Sequence, residues 1–199
     1  GSFSASLPIP GADLEGVITS REILSLDKVP EKLCVIGAGV IGLEFASVFK
    51  SFGSEVSVVE FCKDILPRFD TDLAKRLKQA LGKRGISIET SAAVQSIAKA
   101  DDGRLVVKYL KKDKEFEVVA DKVLMAVGRR PAVGGLNLAA AGVEFTPKGI
   151  VTDGNMRTNV PNIFAIGDIR GGMMLAHVAT FEGRRALNAI LADGNCPGS

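Results

Sequence analysis

Apolar positions along the chain follow two rhythms, and the change between them outlines the fold. Between residues 32 and 88, short continuous apolar runs alternate with stretches of helical period. The run Leu33-Cys34-Val35-Ile36 leads through a glycine turn into a helix predicted from about Ile41 to Phe52, with Gly53 as its stop; Val56-Ser57-Val58-Val59-Glu60 follows. Runs so short and unbroken suit strands covered on both faces, the usual condition of a parallel sheet. A second helix is predicted to start near Asp70, Thr71 or Asp72, to carry Leu73, Leu77, Ala80 and Leu81 on one face, and to end at Gly85 before the strand Ile86-Ser87-Ile88. The order is β-α-β-α-β.

From Ala92 to Ala120 the period shortens to two. Val94 to Ile97, Leu105 to Leu110 and Phe116 to Ala120 read as a β-meander crossing over the sheet, with turns at Asp102-Gly103 and Lys111 to Asp113. The charged stretch Lys111 to Glu115 reads as the solvated end of a hairpin rather than a binding patch. Val123 to Val127 is another covered strand, stopping at the turn Gly128-Arg129-Arg130-Pro131. Beyond it lie two strand candidates, Ile150 to Thr152 and Ile163 to Ile166, and a helix from about Leu175 to Leu191. Residues 1–30, punctuated by Pro8, Pro10, Gly11 and Pro30, read as an extended lead-in with a short helix opening at Ser20. The expected domains are therefore 31–131, preceded by that segment, and an incomplete unit over 132–199.

Composition narrows what such a fold can do. With 46% hydrophobic and 24% charged residues, the 199-residue chain is of ordinary globular type. A net charge of +2 argues against the concentrated basic surface that phosphate-backbone binding needs, so nucleic acid is not an expected partner. Cys34, Cys62 and Cys196 are odd in number and widely spaced, which fits a reducing compartment better than a disulfide framework. No apolar run reaches the roughly 18 to 20 residues of a membrane span, and Gly1 to Pro10 is unlike a signal peptide. A soluble, cytoplasmic protein is expected.

The chemistry concentrates at Gly37-Ala38-Gly39-Val40-Ile41-Gly42, a G-x-G-x-x-G placed between a buried strand and a helix. Gly37 would permit the tight turn, Gly39 the approach of a pyrophosphate, and Gly42 close packing of helix on strand. Free N–H groups at the helix start, from Val40 and Ile41 onward, would favour the negative charge. Glu60 closes the next strand about twenty residues further on, where a carboxylate accepts from both adenosine-ribose hydroxyls and repels a 2′-phosphate. This predicts an α/β, Rossmann-like fold that binds NAD in preference to NADP. The plainer alternatives are an ordinary strand-to-helix turn and an acid that merely ends a strand.

The segment Cys34 to Glu44 also resembles the pyridine-nucleotide segment of the flavoprotein disulfide reductases, or pyridine nucleotide-disulfide oxidoreductases, and their lipoamide-oxidising branch in particular. Three further blocks agree in order: Ala126-Val127-Gly128-Arg129-Arg130-Pro131, Thr158 to Asp168, and Met174-Leu175-Ala176-His177 with Glu182-Gly183. The resemblance covers nearly the whole chain. It implies that Asp168 hydrogen-bonds a ribityl hydroxyl of FAD and that Ala176 offers a backbone N–H to the flavin. It also implies that Glu44 lies beside nicotinamide and flavin, that Ala126 to Arg129 line the nicotinamide side, and that the main chain at Val94 meets adenine. Each has a plainer reading: a turn aspartate, an exposed helix glutamate, a core valine, a solvated arginine turn. His177 is the only histidine, yet the family's catalytic base is a histidine paired with a glutamate, and no such pair stands here.

Disulfide exchange needs a low-pKa thiolate with a partner cysteine. None of the three cysteines offers that spacing, so the resemblance points to the NAD domain of a flavoprotein with the returning part of a split FAD domain (132–199). The expected behaviour is weak binding of NAD(H), no stoichiometric FAD, no turnover by this piece alone, and self-association through the strand edges after Gly142. Mercuric reductase-like and NADH oxidase-like relatives, and a non-catalytic NADH sensor, are the alternatives.

Overall fold

The computed structural model describes residues 1–192. In chain order its elements are β1 (Ser2–Ser4), β2 (Val17–Ile18), β3 (Lys32–Ile36), α1 (Val40–Ser51), β4 (Glu55–Val59), α2 (Thr71–Lys83), β5 (Ser87–Glu89), β6 (Ala93–Lys99), β7 (Leu105–Lys111), β8 (Lys114–Ala120), β9 (Lys122–Met125), β10 (Arg129–Pro131), β11 (Phe145–Thr146), β12 (Gly149–Ile150) and α3 (Ala176–Ala192). They fall into two units, Ser4–Gly128 and Gly1–Phe3 with the chain from Arg129 onward.

In the larger unit five parallel strands stand in the order β2-β9-β3-β4-β5. Alternate residues of the inner strands serve opposite faces. Leu33, Val35, Val56 and Val58 pack with Leu43, Ala46 and Phe49 of α1 and with Ala74 and Leu81 of α2. Cys34, Ile36, Val59 and Met125 pack with Ile97, Leu105, Val107 and Tyr109 of the antiparallel meander β6-β7-β8. Covering both faces is what makes these runs continuously apolar, and it confirms the Rossmann-like class with its meander crossover.

Two expectations shift in this unit. The lead-in is divided: Val17 and Ile18 pair with Val123 and Leu124, making β2 the edge strand of the sheet, and Gly1–Phe3 goes with the other unit. On α2 the buried face is Ala74 and Leu81, with Leu77 partly buried, whereas Leu73 is 54% exposed and Ala80 is exposed. Positions 74 and 81 lie seven apart and share a face; 73 and 80 are each turned about 100° from it.

The second unit holds the pair β1–β10, the hairpin β11–β12, α3, and a small core of Val143, Ile150, Ala165 and Ile169. The arginine turn expected at residues 128–131 is partly a strand: β10 pairs with β1, and Ala132 N–H donates to the Gly1 carbonyl at 3.0 Å. The strand expected at Ile163 to Ile166 is reduced to an isolated bridge between Phe164 and Arg157. The bridge is made by Thr158 N–H to Ile163 O and Ala165 N–H to Met156 O, and a turn follows directly, Ile163 N–H donating to Val160 O, so the pairing extends no further on that side. Cys196 lies outside the described residues. No helix among the described residues is long and apolar enough to cross a membrane.

The Asp70 carboxylate caps α2, accepting from the N–H groups of Asp72 at 2.9 Å and Leu73 at 3.4 Å. Asp70→Ala is expected to lower stability by about 1 kcal/mol, seen as a lower denaturant midpoint at unchanged slope. An unmoved midpoint would show that water replaces the cap without loss.

Candidate functional site

An open parallel sheet binds ligands at the carboxyl ends of its strands, where the chain leaves a strand toward neighbours on opposite sides. In this sheet that point is β3, flanked by β4 and β9. The chain leaves β3 through Gly37-Ala38-Gly39 and enters α1. Gly37 has φ 104°, and a Cβ there would lie 2.5 Å from the Ala126 carbonyl oxygen; a Cβ on Gly42 would lie 2.1 Å from the Gly37 oxygen. Packing alone therefore forbids side chains at both positions. Gly39 is different. Its φ of −77° suits any residue, and no atom lies within 4 Å of where its Cβ would stand. Nothing inside the protein demands glycine at 39, and the space above it is open to a group arriving from outside.

The N–H groups of Val40, Ile41 and Gly42 begin α1 and have no intrahelical acceptor. The first turn carries no acidic side chain, so no side chain of the helix itself offsets the positive end of its dipole. Beside this mouth, Glu60 is 7% exposed. Its Oε2 accepts from Ala38 N–H at 2.5 Å and its Oε1 from Cys62 N–H at 2.7 Å. The Glu60 N–H donates to Glu89 O at 2.8 Å, and its carbonyl accepts from Ala92 N–H at 2.9 Å. The carboxylate thus ties the glycine loop to the segment after β4, a link that no sequence pattern announced. An ionised carboxylate offers about four acceptor sites, so capacity remains for the hydroxyls of a ribose.

The other predicted residues are dispersed. Ala126 lies beneath Gly37, its N–H donating to Ile36 O at 2.8 Å. Gly128 has φ 119°, and its carbonyl accepts from Ala5 N–H at 2.9 Å. Val94, on β6, is half-buried opposite Tyr109. Glu44 is exposed at the edge of an apolar groove between α1 and α2, lined by Val40, Leu43, Leu66, Phe69 and Leu73. The hairpin end behaves as a structural feature: Lys111 Nζ lies 2.6 Å from Glu89 Oε2, and Tyr109 stacks on Phe116 at 5.6 Å.

In the second unit, Asp168 and Arg129 meet through Ser2. Arg129 donates from Nε to Ser2 Oγ at 2.7 Å and from Nη2 to Ser2 O at 2.9 Å, and Ser2 Oγ donates to Asp168 Oδ2 at 2.5 Å. Glu182 of α3 steadies the same turn, its Oε2 accepting from Gly167 N–H at 2.6 Å and its Oε1 from Arg170, whose Nε donates to Thr152 Oγ1. Ala176 opens α3 and is exposed, as is His177. Sequence reasoning quoted Glu182 without a role and gave none to Ser2; neither bond has a local pattern to betray it.

Neither described cysteine is tuned for exchange. Burial pushes the Cys34 thiol up to about 12. Cys62 is also raised, by burial first and then by its hydrogen bond to the Glu60 carboxylate and that group's charge.

The model of the pyridine nucleotide-disulphide oxidoreductase family matches residues 1–183. A dihydrolipoyl dehydrogenase of Bacillus subtilis (strain 168) is 39% identical over 183 residues, covering 92% of this chain and 39% of that protein. One from Acholeplasma laidlawii is 42% identical over 199 residues, covering 98% of this chain and 57% of that protein. Among solved structures, the Cu(II) complex of the HOCl-induced flavoprotein disulfide reductase RclA from Escherichia coli aligns with a TM-score of 0.88 at 32% identity, covering 96% of this chain and 44% of that one. The chain thus spans between about two fifths and three fifths of the length of these relatives.

The thiol shifts predict reactivity. A raised pKa leaves less thiolate at pH 8, so alkylation of Cys62, followed by peptide mass mapping, is expected to be slower than that of free glutathione and to accelerate with rising pH. Cys34 is expected to react only after denaturation. Fast native labelling of either would contradict the environments described.

Proposed function

Because the chain belongs to the pyridine nucleotide-disulphide oxidoreductase family, we propose that its larger unit binds NAD(H) within an FAD-dependent dihydrolipoamide dehydrogenase, an oxidoreductase that oxidises a dihydrolipoyl-type dithiol with NAD+ through flavin and a redox disulfide. The observation that carries the nucleotide reading is the open space over Gly39 at a helix start with no side-chain cap, with a buried carboxylate alongside. On this reading Gly37 and Gly42 shape the loop, Gly39 admits the pyrophosphate, and the amides of Val40 to Gly42 donate to it. Glu60 takes the adenosine ribose, and the Val94 main chain the adenine. Glu44, Ala126, Gly128 and Arg129 belong to the nicotinamide side, Asp168 and Ala176 to the flavin.

Nicotinamide and flavin supply the hydride chemistry when bound; the chain's own part is to hold and orient them. Dithiol exchange calls for a thiolate of low pKa. Cys34 and Cys62 are shifted the opposite way, so on this reading the exchanging cysteines are others than these two. The reading assigns residues 31–131 to the NAD domain and 132–199 to the returning half of the FAD domain, with 1–30 as the entry segment from that domain. It places the protein in the cytoplasm as a homo-oligomer.

Specificity follows from Glu60. A 2′-phosphate beside a carboxylate so poorly exposed is a like-charge contact costing several kcal/mol, equivalent to roughly a hundredfold or more in affinity. Titration calorimetry with NADH and NADPH is expected to show that preference for NADH. Glu60→Gln is expected to weaken NADH by about tenfold, as one charge-assisted hydrogen bond is lost, and to narrow the discrimination. Tighter binding of NADPH by the unmodified protein would overturn the NAD assignment.

A further inference from the structure

The Arg129–Ser2–Asp168 chain of hydrogen bonds has a direction fixed by its members. A guanidinium has donors only and stays protonated, a serine hydroxyl has a single proton, and an ionised carboxylate only accepts. Arg129 places two donors on one residue, Nε on the Ser2 hydroxyl and Nη2 on its carbonyl. The hydroxyl oxygen is thereby occupied as an acceptor, and its one proton is directed to Asp168 Oδ2, 2.5 Å away. The backbone under Asp168 is held independently through Glu182 and Gly167. Asp168 is thus fixed in main chain and side chain, while its Oδ1 accepts no hydrogen bond among the described residues. It is half-buried. A fixed carboxylate with one uncommitted oxygen suits a ligand that presents hydroxyl donors in a row.

We propose that Ser2 and Arg129 are positioning residues that preset the Asp168 carboxylate to receive the ribityl hydroxyls of a flavin; this rests on the flavin reading of Asp168 given above. Ser2 sets which oxygen is committed, and Arg129 sets which way the Ser2 proton points. Lysine cannot replace Arg129, because one ammonium lacks the planar fork that engages hydroxyl and carbonyl together.

The test compares riboflavin with lumiflavin, which shares the ring system but has no ribityl chain, by saturation-transfer NMR titration of this chain. The unmodified protein is expected to prefer riboflavin by about tenfold, the worth of one hydrogen bond to a charged group. Asp168→Ala is expected to abolish the preference. Ser2→Ala is expected to reduce it to threefold or less while leaving lumiflavin affinity unchanged, Arg129→Lys to reduce the preference likewise, and Ser2→Thr, which keeps the hydroxyl, to retain it. Adding Ser2→Ala to Asp168→Ala is expected to cause no further loss. If Asp168→Ala abolishes the preference and the Ser2 and Arg129 variants keep it, the positioning role is overturned and the flavin reading stands. Equal losses for both ligands in those variants would reduce Ser2 and Arg129 to structural parts, which also overturns it. No preference, or no binding, in the unmodified protein overturns the flavin reading of Asp168 and the proposal with it.

Discussion

A carboxylate taken almost wholly out of water must find donors inside the protein, and the larger unit is arranged around that requirement at Glu60. Its two oxygens draw the amides of Ala38 and Cys62 together, while its own peptide groups bridge to Glu89 and Ala92. A hydrogen bond to a charged group contributes roughly 1.5–3 kcal/mol, and losing a donor would leave a buried charge short of compensation. The glycine loop is therefore held by the same group that sets the charge beside it, so shape and charge at this mouth have one origin.

The sheet makes that arrangement possible. With β3 between β4 and β9 and both faces covered, the carboxyl ends of the strands are the place where backbone donors and acceptors remain for other partners. Gly37 and Gly42 bring loop, helix and Ala126 into close contact, whereas Gly39 faces open space. One motif thus mixes two kinds of glycine: two are explained by the fold, and nothing inside the protein accounts for the third.

Much of this was legible from the residues. The strands around Cys34 and Val58 and the helix after Gly39 are specified by period and punctuation alone, and so is the meander, because each signal is local. The second unit was harder. Ile163 to Ile166 looks like a strand by composition, but a turn at Val160 takes the Ile163 N–H and the pairing stops at one bridge. Arg129 reads as a solvated turn until the strand from Ser2 is laid beside it, a contact made across most of the chain's length. Leu73 was expected inside, yet one step around α2 turns it outward. In the site, residue types and spacing indicated Gly37 to Gly42 and Glu60; that Glu60 binds the loop itself became visible only in three dimensions.

The central claim is that the start of α1 and the Glu60 carboxylate form one receptor for a diphosphate and its attached ribose. The most direct measurement is an amide chemical-shift titration of the 15N-labelled protein with ADP-ribose, which carries those two groups without the nicotinamide. The account predicts saturable shifts concentrated at Ala38 to Leu43 and at Cys62. Shifts that leave those amides unmoved and gather instead around the Lys111 to Phe116 hairpin would contradict it.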